Sequence, residues 1–179
     1  MSLGLDLPAN EPLSRLGYSV RGLANWILDY ADELKLTVSN MALNKLVYFA
    51  FEKMLLEKQA IITDAKIEAW EHGPVFREIY QSFKLFGDRP ITNRAEFYSV
   101  ETGLVESVHL DADVETEAYL KAVLLPLMTL SASKLREISH VPGGAWHRVW
   151  CYEGHANPGM EITPTEIIEA ASERGSVNG

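Results

Sequence analysis

Two groups of residues in this chain have the types and spacing to do chemistry. Cys151 has His147 four residues before it and His155 four residues after it. On one unbroken helix the three would share a face, which suits either an imidazole-activated thiol or a set of metal ligands. Gly154 and Asn157-Pro158-Gly159 argue that no helix runs that far. Two histidines and one cysteine also fall short of a closed structural zinc site. The expectation is a small buried Cys151, histidines at the surface, and no metal or cofactor. The second group centres on His72, beside Gly73-Pro74, which could serve as a general base. No nucleophile lies near it in sequence, and a His at a helix start more often hydrogen-bonds locally. The chain has no glycine-rich phosphate loop, no G-x-S-x-G and no H-E-x-x-H. No catalytic residue is assigned. A hydrolase using His72, or Cys151 with His147, is the alternative these residues permit.

The elements that hold these residues follow from periodicity and punctuation. Ile67–Val75 reads I-E-A-W-E-H-G-P-V. Pro is favoured at the first position of a helix, where its missing N–H is no loss. The segment is therefore expected to be a sharp strand-to-helix corner, followed by a helix over Val75–Phe86 that carries Phe76, Ile79, Tyr80 and Phe83 and stops at Gly87. Val20, Leu23, Ala24, Ile27, Leu28, Ala31 and Leu34 predict an amphipathic helix capped by Ser19. Ser39 or Asn40 can cap the next helix, to about Lys58. Its apolar residues cover most of its circumference, with Asn44 and Lys45 as polar exceptions, as in a central helix packed on several sides.

Further on, Phe97–Val100 and Leu104–Leu110 are expected to form a hairpin through Thr102-Gly103. Asp113 can cap a helix from Val114 to about Leu130, kinked or divided by Pro126. Ser131 or Ser133 starts a short helix ending before Pro142, and a turn follows around Ala145–Cys151. Thr163-Pro164-Thr165-Glu166 is a capping box with Pro at the first helical position. The fold class expected is mainly α (α+β), a compact single-domain helical bundle with a small β-hairpin or ribbon. Residues 1–17 read as a flexible arm and 174–179 as a disordered tail.

At 179 residues the chain can bury a proper core as one domain, and its 47% hydrophobic content is that of a globular protein. No apolar run approaches the ~20 residues needed to span a bilayer. The first residues lack a basic stretch followed by an apolar one, so no secretory signal is expected. A single cysteine excludes an internal disulfide and fits a reducing compartment. A cytoplasmic location, away from membranes, is the expectation. The net charge of −9 is uneven. Residues 1–90 carry 10 basic and 12 acidic side chains, a net of −2, and residues 91–179 carry 6 and 13, a net of −7. Seven carboxylates, including Glu101, Glu106, Asp111 and Asp113, lie between Ala95 and Leu120 without a Lys or Arg. Such a field repels phosphate backbones, so direct nucleic-acid binding is disfavoured. It suits either a solvated loop that aids solubility or a face for a basic partner.

Three blocks carry a likeness to a known family: L-N-K-L-V-Y-F-A (Leu43–Ala50), I-E-A-W-E-H-G-P-V (Ile67–Val75) and I-Y-Q-S-F-K-L-F-G (Ile79–Gly87). L-R-E-I-S-H (Leu135–His140) and G-A-W (Gly144–Trp146) follow in the same order. Together they resemble the Panacea domain of SocA-like antitoxins and the phage-associated protein GepA, with the domain placed at residues 18–173. The resemblance implies a mainly helical, non-enzymatic domain that binds and neutralises a toxin encoded by an adjacent gene. It further implies, as one mode of action, delivery of that toxin to an AAA+ protease such as ClpXP. A generic phage-associated interaction module is the alternative. The motif positions offered as partner-binding candidates are Lys45, Tyr48, Trp70, His72, Tyr80, His140 and Trp146. The acidic residues Glu101, Glu106, Asp111 and Asp113 join them as a feature this chain adds.

Overall fold

A computed structural model describes residues 12–177. Among the described residues there are seven α-helices and three two-stranded ribbons, packed around one central helix of the seven. That helix is α2 (Asn40–Lys58), preceded by α1 (Val20–Glu33). Ser19 caps α1 by accepting the Gly22 N–H, and Ser39 caps α2 by accepting the Ala42 N–H, each at 3.3 Å. α2 buries 13 of its residues because it touches α1, four later helices and two strands, leaving only a narrow exposed strip near its end that includes Lys53 and Glu57. Gln59 ends it in the left-handed conformation.

The chain enters through β1 (Ser14–Arg15), which pairs in parallel with β2 (Ala60–Ile61) just after α2. The last residues of the expected arm are thus strand-paired, and the rest of the arm, 1–11, lies outside the described residues. β3 (Ile67–Trp70) and β4 (Gly73–Phe76) then form an antiparallel ribbon in which Trp70 faces Gly73. Here the expectation is corrected. Gly73-Pro74 is strand, the turn is the dipeptide Glu71-His72, and α3 begins only at Arg77 and runs to Phe83. Pro74 fits the strand because residues 74 and 76 turn their backbone polar groups away from the ladder, towards α2. The Pro74 carbonyl accepts from Lys45 Nζ at 2.9 Å, and the Phe76 N–H donates to Asn44 Oδ1 at 3.0 Å. A missing N–H on that edge breaks no ladder bond. The opposite edge, along β3, is covered by residues 159–162 through backbone bonds to Ile67 and Ala69.

The expected hairpin exists as β5 (Glu96–Tyr98) and β6 (Val105–Ser107), shorter than read from the sequence. Asn25 on α1 anchors it. Its amide accepts the Ala95 N–H and donates to the carbonyls of Ala95 and Val108, each at 2.8 Å. Gly22 lets the strand leave close to α1, since a Cβ there would sit 2.5 Å from the His109 carbonyl oxygen. Helix α4 (Val114–Met128) is capped by Asp113 and continues two residues past Pro126. α5 (Ala132–Ser139) is capped by Ser131, and α6 (Ala145–Trp150) is a short helix where a turn was expected. The last helix, α7 (Pro164–Val177), starts at the reciprocal box expected from sequence. Glu166 accepts the Thr163 N–H at 2.7 Å and its own N–H donates to Thr163 Oγ1 at 3.4 Å. α7 carries the chain to Val177, through residues expected as tail.

Candidate functional site

Along the α2 surface that faces the β3–β4 ribbon and α5 runs a polar stripe at four-residue intervals: Asn40, Asn44, Tyr48 and Glu52, with Lys45 beside it. Most of it is buried, so each group needs a partner. Asn40 donates to the Tyr80 carbonyl at 3.2 Å, and Asn44 donates to Asn40 Oδ1 at 3.0 Å while accepting from Phe76. The Tyr48 hydroxyl donates to Glu52 at 2.8 Å. Burial, then the neighbouring Glu52 carboxylate, raises the Tyr48 pKa well above its usual range.

Lys45 is the unusual member. It is 1% exposed, and its amine holds the Pro74 carbonyl across the interface. Desolvation, then the charge of Arg136, lowers its pKa to about 7. Gly73, with φ at +105°, lies directly over it: a Cβ there would be 2.7 Å from both Lys45 Cε and Ser139 Oγ. His140, the residue after α5, stacks on Trp146 with ring centroids 3.7 Å apart. Its pKa is lowered to about 4 by partial burial, then by Arg136, Lys45 and His72. Trp146 stacks in turn on Trp150 and donates its indole N–H to the Trp70 carbonyl at 2.9 Å. Trp70 meets Tyr80 edge-on, donates to Glu68, and lies under Arg77.

Two depressions open over this stripe. One, of about 330 Å³, is bordered by Lys45, Trp70, His72 and Tyr80, with Lys84 and Asp88 also in its wall. The other, of about 640 Å³, lies one turn further along α2 between Tyr48, Glu52, Arg136, His140 and Arg174. Lys45, Tyr48, Trp70, His72, Tyr80, His140 and Trp146, far apart in sequence, therefore gather around one ribbon–helix contact. Sequence reasoning missed Arg136, Ser139, Asn40 and Glu52 in this set. The four-residue spacing along α2 could have flagged Asn40 and Glu52; nothing local singles out Arg136 or Ser139.

Glu101, Glu106, Asp111 and Asp113 lie elsewhere, on and after the β5–β6 hairpin beside α1. Glu106 accepts a short hydrogen bond from Thr102, and Asp113 accepts the Thr116 N–H at 2.7 Å as the cap of α4. Helix-cap bonding lowers the Asp113 pKa. The same hairpin exposes Tyr98, Val100, Leu104 and Val105.

Cys151 is exposed, which corrects the buried thiol expected from sequence. α6 ends at Trp150, and Glu153 at φ 55° breaks the path to His155, so the three residues do not line one helix. The Gly143 N–H points to His147 Nδ1 at 3.4 Å. Among the described residues no group of three or more His, Cys, Asp and Glu side chains is placed to hold a metal, and no helix is long and apolar enough to cross a membrane.

The fold and this site define a mainly helical domain whose identifying residues build a ribbon docked on a central helix. A family model described as antitoxin SocA-like, Panacea domain, matches residues 43–147, which takes in all the motif blocks. The chain is also 37% identical over 137 residues to Antitoxin SocA of Caulobacter vibrioides (strain NA1000 / CB15N), covering 75% of this chain and 73% of that relative. It belongs to the SocA-like Panacea-domain family. No solved structure matches the chain.

Proposed function

We propose that this chain is the antitoxin of a type II toxin–antitoxin pair. It binds a protein toxin encoded by an adjacent gene and neutralises it by contact, without catalysis. The observation that carries the reading is family membership together with 37% identity to a protein named Antitoxin SocA. The site is compatible with it. Aromatic and cationic side chains of the kind that dominate binding hot spots line two open depressions, with Trp70 and Tyr80 partly exposed. The acidic balance of the chain points the same way, towards a protein partner in preference to nucleic acid.

Neutralisation has two physical forms. The antitoxin either covers the toxin's working surface or hands the toxin to an AAA+ protease such as ClpXP, and we favour delivery as the finer reading on the family likeness. Co-expression with the adjacent gene, in hosts with and without the protease, separates them. Rescue of growth in both hosts indicates blocking, and rescue that needs the protease indicates delivery. Failure to rescue growth in either host, with no co-purification of the two products, would refute the antitoxin reading.

A further inference from the structure

The larger depression contains a positive charge with no counter-ion. The Arg136 side chain makes no hydrogen bond or ion pair among the described residues, and its Nε is sealed from solvent without a partner. One helical turn on, His140 Nε2 is likewise buried and unpartnered. Both residues border the same cavity of about 640 Å³. The carboxylates in its wall are already engaged: Glu52 accepts the Tyr48 hydroxyl at 2.8 Å and Glu137 pairs with Lys134 at 2.9 Å. Buried polar atoms are normally satisfied, and each exception needs an explanation. In a chain of net charge −9, an unpaired guanidinium beside a second orphaned ring nitrogen is the signature of a place kept for an anion.

We propose that this cavity receives a carboxylate of the protein partner, an acidic side chain or the chain terminus, with Arg136 as its main ligand and His140 beside it. The planar fork of the guanidinium matches a carboxylate in two parallel hydrogen bonds. The inference rests on the toxin-binding reading above. The surrounding charges support it. Arg136 depresses the pKa of both Lys45 and His140, and Lys45 and His72 add to the effect at His140. The other ionisable groups around the cavity are Tyr48 and Glu52 on α2, Glu137 on α5 and Arg174 on α7. A bound carboxylate offsets the field of Arg136, so Lys45 takes up protons near neutral pH. An apolar group filling the same space would desolvate Lys45 further and expel them.

The test is calorimetric titration of the full chain with the adjacent-gene toxin at pH ~7, in two buffers of different ionisation heat. We expect proton uptake on binding, a loss of affinity of roughly thirtyfold or more in Arg136→Gln, and partial recovery in Arg136→Lys. Glu137→Gln should bind no more weakly than the wild type. A toxin carrying a short C-terminal extension distinguishes the two sources, since only a chain-terminal carboxylate is displaced by it. Wild-type affinity in Arg136→Gln, proton release on binding, or a loss in Glu137→Gln alone would each overturn the inference while leaving toxin binding intact. Absence of any wild-type binding would overturn the toxin reading and this inference with it. Should Arg136→Gln fail to fold, Arg136→Lys and the sign of the proton exchange still decide.

Discussion

Replacing Gly73 by alanine tests the ribbon–helix contact at its tightest point. Two penalties act together. A side chain at φ +105° costs about 1–3 kcal/mol in backbone strain. The new Cβ would also stand 2.7 Å from Lys45 Cε and Ser139 Oγ, so Lys45 must move and its bond to the Pro74 carbonyl is lost or lengthened. A hydrogen bond involving a charged donor contributes about 1.5–3 kcal/mol. The expected loss is about 3–5 kcal/mol, or roughly 10 °C in Tm for a domain of this size. Urea denaturation of wild type, Gly73→Ala, Lys45→Ala and the double variant measures it. In the Lys45→Ala background the Lys45 share disappears and only the backbone strain and the contact with Ser139 Oγ remain, so the alanine should cost less than in the wild type. A loss below about 1 kcal/mol in Gly73→Ala, or the same loss in both backgrounds, would refute the close-packing argument.

Lys45 also makes stability depend on pH. Its pKa is about 7 in the folded chain and 10.5 ordinarily, so between these values the unfolded chain binds more protons and stability rises with pH. The slope is up to about 1.4 kcal/mol per pH unit. It should disappear in Lys45→Met, as followed by urea unfolding from pH 7 to about 9.5, below the range where Tyr48 acts with the opposite sign. Asn25→Leu removes three hydrogen bonds that anchor the β5–β6 hairpin and should cost about 2–4 kcal/mol; hydrogen exchange should speed up at residues 95–108, and unchanged protection there would contradict the anchoring role. Changing Glu101, Glu106, Asp111 and Asp113 to their amides should slow association with a basic toxin surface and flatten its salt dependence, with dissociation less affected. Asparagine can still cap α4, and equal association rates at low salt would leave the acidic hairpin as a solubility feature. Cys151→Ala should leave neutralisation in cells intact; a folded Cys151→Ala protein that fails to neutralise and has lost a substrate turnover that the wild type restores would revive the hydrolase alternative.

What the sequence determined by itself is what depends on neighbours three or four residues away. The Ser19, Asp113 and Thr163–Glu166 caps were legible because donor and acceptor lie within one turn. The amphipathic α1 and the all-round apolar α2 were legible because helical period maps directly onto burial. The family could be read from contiguous blocks for the same reason. Gly73-Pro74 went wrong because its local signals, proline above all, suit a helix start as well as an edge strand. The choice was made at a distance, by the β3 ladder on one side and by Asn44 and Lys45 on the other. How the residues of the candidate site come together belongs to that second kind of information. Lys45 is ordinary in sequence and becomes a buried amine with a pKa near 7 only because Arg136 and the ribbon close over it. Arg136 itself carries no local mark, since being without a partner is a property of the folded surroundings and of no shorter stretch of chain.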